Sequence, residues 1–148
     1  MNARPDLREI TPDALKTVYG LEQYILNKTG LDPNLIHLLK LRASQINGCV
    51  YCVDMHTKES RAAGLSEQWI SLVCVWREAN IFTERERALL AWTEAVTLIS
   101  ETGAPDSDFD NLSAHFSEEE CANLTLAIST INVWNRMMVA YRGQPEGN

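Results

Sequence analysis

The chain has 148 residues, 45% of them hydrophobic, with 13 Lys and Arg against 20 Asp and Glu and a formal net charge of −7. That length buries a core without help from disulfides or metal and reads as one domain over residues 1–148, while the acidic balance repels phosphate-rich partners and argues against nucleic-acid binding. Four cysteines are too few for a disulfide framework, the amino terminus lacks a basic-then-apolar signal, and no apolar run approaches the roughly 18 residues that span a bilayer, so a cytoplasmic protein with no membrane contact is expected.

Helical periodicity runs through the whole chain. Thr11-Pro12 opens a first helix that reaches about Lys28, with Leu15, Val18, Tyr19 and Ile25 on its apolar face and Thr29-Gly30 at its end. Asp32-Pro33 opens a second, which runs to Ile46 and stops at Asn47-Gly48. A third begins at about Cys49 and ends at Gly64. Ser66 caps the next, whose Trp69, Ile70, Leu72, Val73, Val75 and Trp76 are expected to bury most of its circumference. Thr83-Glu84-Arg85-Glu86 has the form of a capping box and predicts helix to about Ile99. Gly103, Pro105 and the aspartates 106, 108 and 110 mark a connector, with a short helix near Phe109 to His115 and His115 itself at a solvated helix end. A second capping box, Ser117-Glu118-Glu119-Glu120, starts a last helix that runs to about Tyr141, before Gly143 and Pro145. No stretch alternates with strand period and none repeats. The pattern predicts an all-α bundle of about six to seven helices.

The chemistry sits in Cys49-Val50-Tyr51-Cys52-Val53-Asp54-Met55-His56. On a helix, Cys49, Cys52 and His56 share one face, because residues three and four apart are neighbours. A first-turn position exposes each thiol to unpaired backbone N–H groups and to the positive end of the helix dipole, which lowers its pKa from the free value of about 8.5. Cys52 gains further from His56, one turn away. Such a pair suits a dithiol–disulfide cycle. A zinc site built on Cys49, Cys52 and His56 would need a fourth ligand from Cys74, Cys121, His37 or His115, and the spacing that familiar zinc sites show is missing. Buried structural thiols are a third reading, which explains neither His56 nor the turn before the motif.

The stretch from Leu38 to His56 closely resembles the core of the AhpD-like alkylhydroperoxidases, within the carboxymuconolactone decarboxylase superfamily. Looser similarity continues through Trp76-Arg77-Glu78, through residues 83–92 and through Ile131-Asn132-Val133-Trp134-Asn135-Arg136, so the resemblance spans about Leu35 to Arg142. It implies an all-helical, homo-oligomeric thiol peroxidase, a trimer or hexamer, that needs no cofactor and no metal. It also implies roles: Cys52 attacks an organic hydroperoxide or hydrogen peroxide, Cys49 resolves the sulfenic acid as a disulfide, and His56 belongs to a proton relay. An external dithiol of lipoamide or thioredoxin type would then reduce the disulfide.

The chain departs from that family at one position. His37 stands where a relay glutamate is expected, twelve residues before Cys49. A neutral imidazole also moves protons, so His37 is a relay candidate beside its alternative as a partly buried histidine of the flanking helix. Glu86 or Glu94 would substitute if their helix packs over the motif. A disulfide reductase or redox-sensing interaction domain is the competing function. Trp69, Trp76, Trp134, Met137, Met138 and Tyr141 read as core, with an oligomer interface as the alternative. Asn132, Asn135 and Arg136 suit either a pocket border or a structural polar network. Cys74 and Cys121 are expected to be buried and inert.

Overall fold

The computed structural model describes residues 2–147. Within them nine α-helices and one 3-10 turn follow one another without a strand: α1 (Leu7–Ile10), α2 (Pro12–Lys28), α3 (Pro33–Asn47), α4 (Val50–Ala62), α5 (Glu67–Leu72), the 3-10 turn Val73–Val75, α6 (Glu84–Thr97), α7 (Ile99–Thr102), α8 (Asp106–Ser113) and α9 (Glu118–Ala140). The excess over the six or seven expected comes from short pieces. α1 and α7 have four residues each, too few for a hydrophobic period to show.

Local chemistry accounts for most boundaries. Thr83 and Ser117 both form complete capping boxes, with Glu86 and Glu120 reaching back to the backbone. Asp32 caps α3 through the N–H of Asn34, ahead of Pro33 in the first turn. Gly48 ends α3 at φ 64°, a left-handed conformation in which a side chain would be strained. That turn sets the angle at which α4 leaves α3, so it positions the cysteines. The helix expected to reach Ile99 instead ends at Thr97. Leu98 leaves helical geometry before α7 resumes, and α8 starts at Asp106, three residues ahead of the expected Phe109.

Central α3 packs against α4, α6 and α9, and α9 also packs against α2. Leu35, Ile36, Leu38, Leu39, Leu41 and Ala43 are buried around almost its full circumference, as expected of a helix enclosed by neighbours. The core continues through Leu89 and Leu90 of α6 and Leu124, Ile128 and Ile131 of α9. On α2 the buried stripe is Leu15, Val18, Glu22 and Ile25. Tyr19 is 57% exposed, against expectation, and an acidic residue takes the inward position. Val75 is likewise exposed: the chain tightens into the 3-10 turn after Leu72, which rotates Cys74 and Val75 outward while Val73 and Trp76 stay buried. Cys74 is therefore a correction to the buried thiol expected there. Cys121 is buried, and burial pushes its thiol pKa up. No helix among the described residues is long and apolar enough to cross a membrane.

Candidate active site

α4 begins at the motif. Cys49 is its N-cap, with extended backbone, and its sulfur accepts the N–H of Cys52 at 3.3 Å. Cys52 thus sits in the first turn, where the helix dipole favours negative charge on sulfur. The two cysteines are joined as a disulfide with Cα atoms 5.3 Å apart, inside the range such bonds require. Both are 1% exposed to bulk solvent. Cys52 nonetheless lines a cavity of about 550 Å³ that also takes in His56, Glu59, Glu22 and Lys40. Cys49 lies on the other side and borders a shallow surface depression with Gly48 and Val53. The two cysteines thus border different hollows, the one beside Cys52 the less open.

His56 is buried one turn beyond Cys52. Its Nδ1 pairs with Glu59 Oε2 at 2.8 Å, so the carboxylate fixes the tautomer in which Nδ1 carries the proton and Nε2 is a free base. Nε2 is buried without a hydrogen-bond partner. Glu59 is held below the usual carboxylate range, first by the hydrogen bond from His56 and then by the charges of His56, Lys40 and His37, which together outweigh its partial burial. Glu59 was not among the residues expected from the sequence, although its position three residues after His56 on the same helix face was a readable signal.

His37 reaches the same cluster from α3. It feels the charges of Glu59, Lys40 and His56, burial is the main cause that lowers its pKa, and its Nδ1 is a second buried nitrogen without a partner. Lys40, one turn further along α3, is paired with Glu22 of α2 at 2.5 Å, both side chains almost sealed from solvent. Neither of the alternative relay carboxylates joins this group. Glu86 is held at the start of α6 by Thr83 and by Trp69 Nε1. Glu94 receives Arg42, Trp76 and Arg77. The carboxylate at His56 comes instead from α4 itself.

Behind the motif lies a polar network. Asn47 donates through Nδ2 to Asn132 Oδ1 and Asn135 Oδ1, each at 2.9 Å, and Asn135 donates to Ser44 Oγ at 3.0 Å. Arg136 donates to Asn132. These residues tie the end of α3 to α9, and none of them lines the cavity. Trp134 and Met138 of α9 and Tyr141 just beyond it do line it, and Trp134 packs on Tyr19 with ring centroids 5.0 Å apart. Trp69 and Trp76 are buried in the core. Met137 is half-buried and His115 exposed.

An all-helical fold that places a Cys-x-x-Cys pair at a helix mouth beside a buried histidine defines the AhpD-like class. Known proteins bear this out. The chain matches the Carboxymuconolactone decarboxylase family over residues 12–95. That match begins earlier than the expected family core, taking in α2 with Glu22, and ends within α6. The Agrobacterium tumefaciens protein ATU0492, of unknown function and described as a candidate antioxidant defence protein AhpD, superposes with a TM-score of 0.96 at 54% identity, covering 99% of this chain and 100% of that one. The uncharacterized Bacillus subtilis protein YdfG is 35% identical over 140 residues, 95% of each chain. The alkyl hydroperoxide reductase AhpD of Mycobacteroides abscessus is 39% identical over 51 residues, which is 34% of this chain and 29% of that protein. The chain belongs to the carboxymuconolactone decarboxylase family.

Proposed function

We propose that this protein is a thiol-dependent hydroperoxide reductase working through Cys49, Cys52 and His56. The observation that carries the reading is the unpartnered Nε2 of His56, a base one helical turn from a cysteine that borders a cavity of about 550 Å³. In the reduced enzyme Nε2 takes the Cys52 proton, and Glu59 stabilises the imidazolium that results. The thiolate attacks the distal oxygen of the hydroperoxide. An S–O bond forms, the O–O bond breaks, and the leaving alkoxide takes the proton back from His56 as an alcohol. The Cys49 thiol then attacks the sulfenic sulfur of Cys52, forming the S–S bond and releasing water. An external dithiol returns two electrons and two protons by thiol–disulfide exchange. His37, in the same charged cluster, passes protons between His56 and solvent.

Large apolar side chains that remain exposed, among them Val75, Ile99, Phe109, Val133 and Val139, support assembly as a homo-oligomer, which sedimentation at micromolar protein would reveal. The function itself is tested by following peroxide loss with dihydrolipoamide, thioredoxin and glutathione supplied in parallel. Sustained consumption with a dithiol is the expected result. Disulfide reduction without peroxide loss in any of the three would make the protein a reductase or redox sensor instead.

A further inference from the structure

The cavity wall carries charge that the redox cycle does not use. Two of its three acidic side chains are ion-paired, Asp6 with Arg8 at 2.8 Å and Glu22 with Lys40 at 2.5 Å, and the third, Glu59, accepts the hydrogen bond of neutral His56 at 2.8 Å. Two further guanidinium groups line the same cavity, those of Arg4 and Arg142. Each donates through Nη1 to a backbone carbonyl of the opposite terminal segment, Arg4 to Ala140 and Arg142 to Asn2. Neither pairs with a carboxylate among the described residues. A guanidinium has five N–H donors, so one carbonyl leaves most of its capacity and all of its charge available. In a chain of net charge −7, an excess of positive charge around one cavity is out of character with the rest of the molecule.

The remainder of the wall is largely apolar, with Leu15, Leu26, Met55, Trp134, Met138 and Tyr141 contributing. The two unpaired arginines and Cys52 lie at different depths. Cys52 is buried at the floor, whereas Arg4 is exposed and Arg142 half-exposed at the rim. A cavity of about 550 Å³ falls inside the range of roughly 300–1,000 Å³ typical of small-ligand sites.

We infer that the oxidising substrate is an organic hydroperoxide with an apolar body and a carboxylate head. Arg4 and Arg142 hold the head at the rim by charge-assisted hydrogen bonds, the apolar wall covers the body, and the hydroperoxide group reaches Cys52. The two-electron reduction converts the hydroperoxy acid to the hydroxy acid and water while the Cys49 and Cys52 thiols become the disulfide. This assignment rests on the peroxidase reading and names the substrate class for it.

The test compares kcat/KM for a long-chain hydroperoxy acid, kept below its micelle concentration, with its methyl ester and with hydrogen peroxide. The acid is expected to exceed the ester about tenfold, the discrimination expected of a hydrogen-bonded charge, and the ratio is expected to shrink as salt is added. In Arg142→Gln and Arg4→Gln the ratio should fall towards one, and Arg142→Lys should keep part of it. Equal or better use of the ester by the wild-type protein overturns the inference, as does an acid preference that ignores salt, and both readouts stand even if the variants fail to fold. Turnover of hydrogen peroxide without acid preference overturns this substrate class alone. Failure to consume any of the three removes the peroxidase reading as well.

Discussion

Two polar clusters flank α3, and only one of them is complete. Around Glu94, Arg42 from α3 donates at 2.9 Å, Trp76 at 2.7 Å and Arg77 at 2.5 Å. These hydrogen bonds outweigh the burial that would raise the Glu94 pKa and hold the carboxyl below its ordinary range. Around Glu59, by contrast, His56 and His37 each keep a buried nitrogen without a partner. A buried polar atom left unpaired costs about 1–3 kcal/mol, so a fold keeps one where another purpose outweighs that cost. The satisfied cluster clamps helices together. The unsatisfied one retains proton-accepting capacity near a disulfide, the contrast on which the proposed chemistry rests.

The sharpest way to break that contrast is to remove the sulfurs one at a time. Cys52→Ser is expected to abolish peroxide consumption, while Cys49→Ser should complete one turnover and leave a sulfenate that a dimedone-type reagent traps. Equal single-turnover behaviour of both variants would reverse or erase the assigned roles. Next in size is Glu94→Ala, expected to lower stability in urea by about 3 kcal/mol, because it strands the largely buried Arg42 and an indole N–H, while leaving the pH profile of Cys52 alkylation unchanged. A shifted profile would mean that the two clusters are coupled. Glu59→Gln should do the opposite. Its side chain is 47% exposed, so stability should change little, whereas kcat/KM should fall roughly tenfold to a hundredfold through loss of the tautomer and of imidazolium stabilisation. An unchanged kcat/KM would take Glu59 out of the site.

The smallest effect concerns acid stability. Burial lowers the His37 pKa from its ordinary 6.5, so the unfolded chain binds a proton that the folded protein resists. That contribution is complete above pH 6.5 and is lost as the pH falls below it. The Glu59 contribution, from a carboxyl lowered from 4.5, disappears only below pH 4.5. Melting temperature should therefore drop between pH 7.5 and 5.5 in the wild-type protein, and less steeply in His37→Gln. Parallel slopes would show that His37 titrates as freely in the fold as out of it.

Much of this protein is legible in its residues alone. The capping boxes at Thr83 and Ser117, the Gly48 turn and the Cys49-Val50-Tyr51-Cys52 mouth of α4 depend on hydrogen bonds and side chains within about four residues of one another, and local sequence decides such things alone. Glu59 was within reach of the same logic. What folding had to decide was which residues from distant segments meet. Glu22 could be placed on the inward stripe of α2, between Val18 and Ile25, but only the approach of α3 supplies Lys40 to neutralise it. Whether Glu86 or Glu94 faces the motif depends on the roll of α6, and both turn to other partners. The 3-10 turn that exposes Cys74 is set by how Val73 and Trp76 dock into the core. An all-helical chain with a Cys-x-x-Cys pair at a helix mouth is written in the residues themselves. Which hollow each cysteine borders, and that two arginines from opposite ends of the chain line the one beside Cys52, was settled by packing, because burial and charge pairing between remote segments leave no period to read.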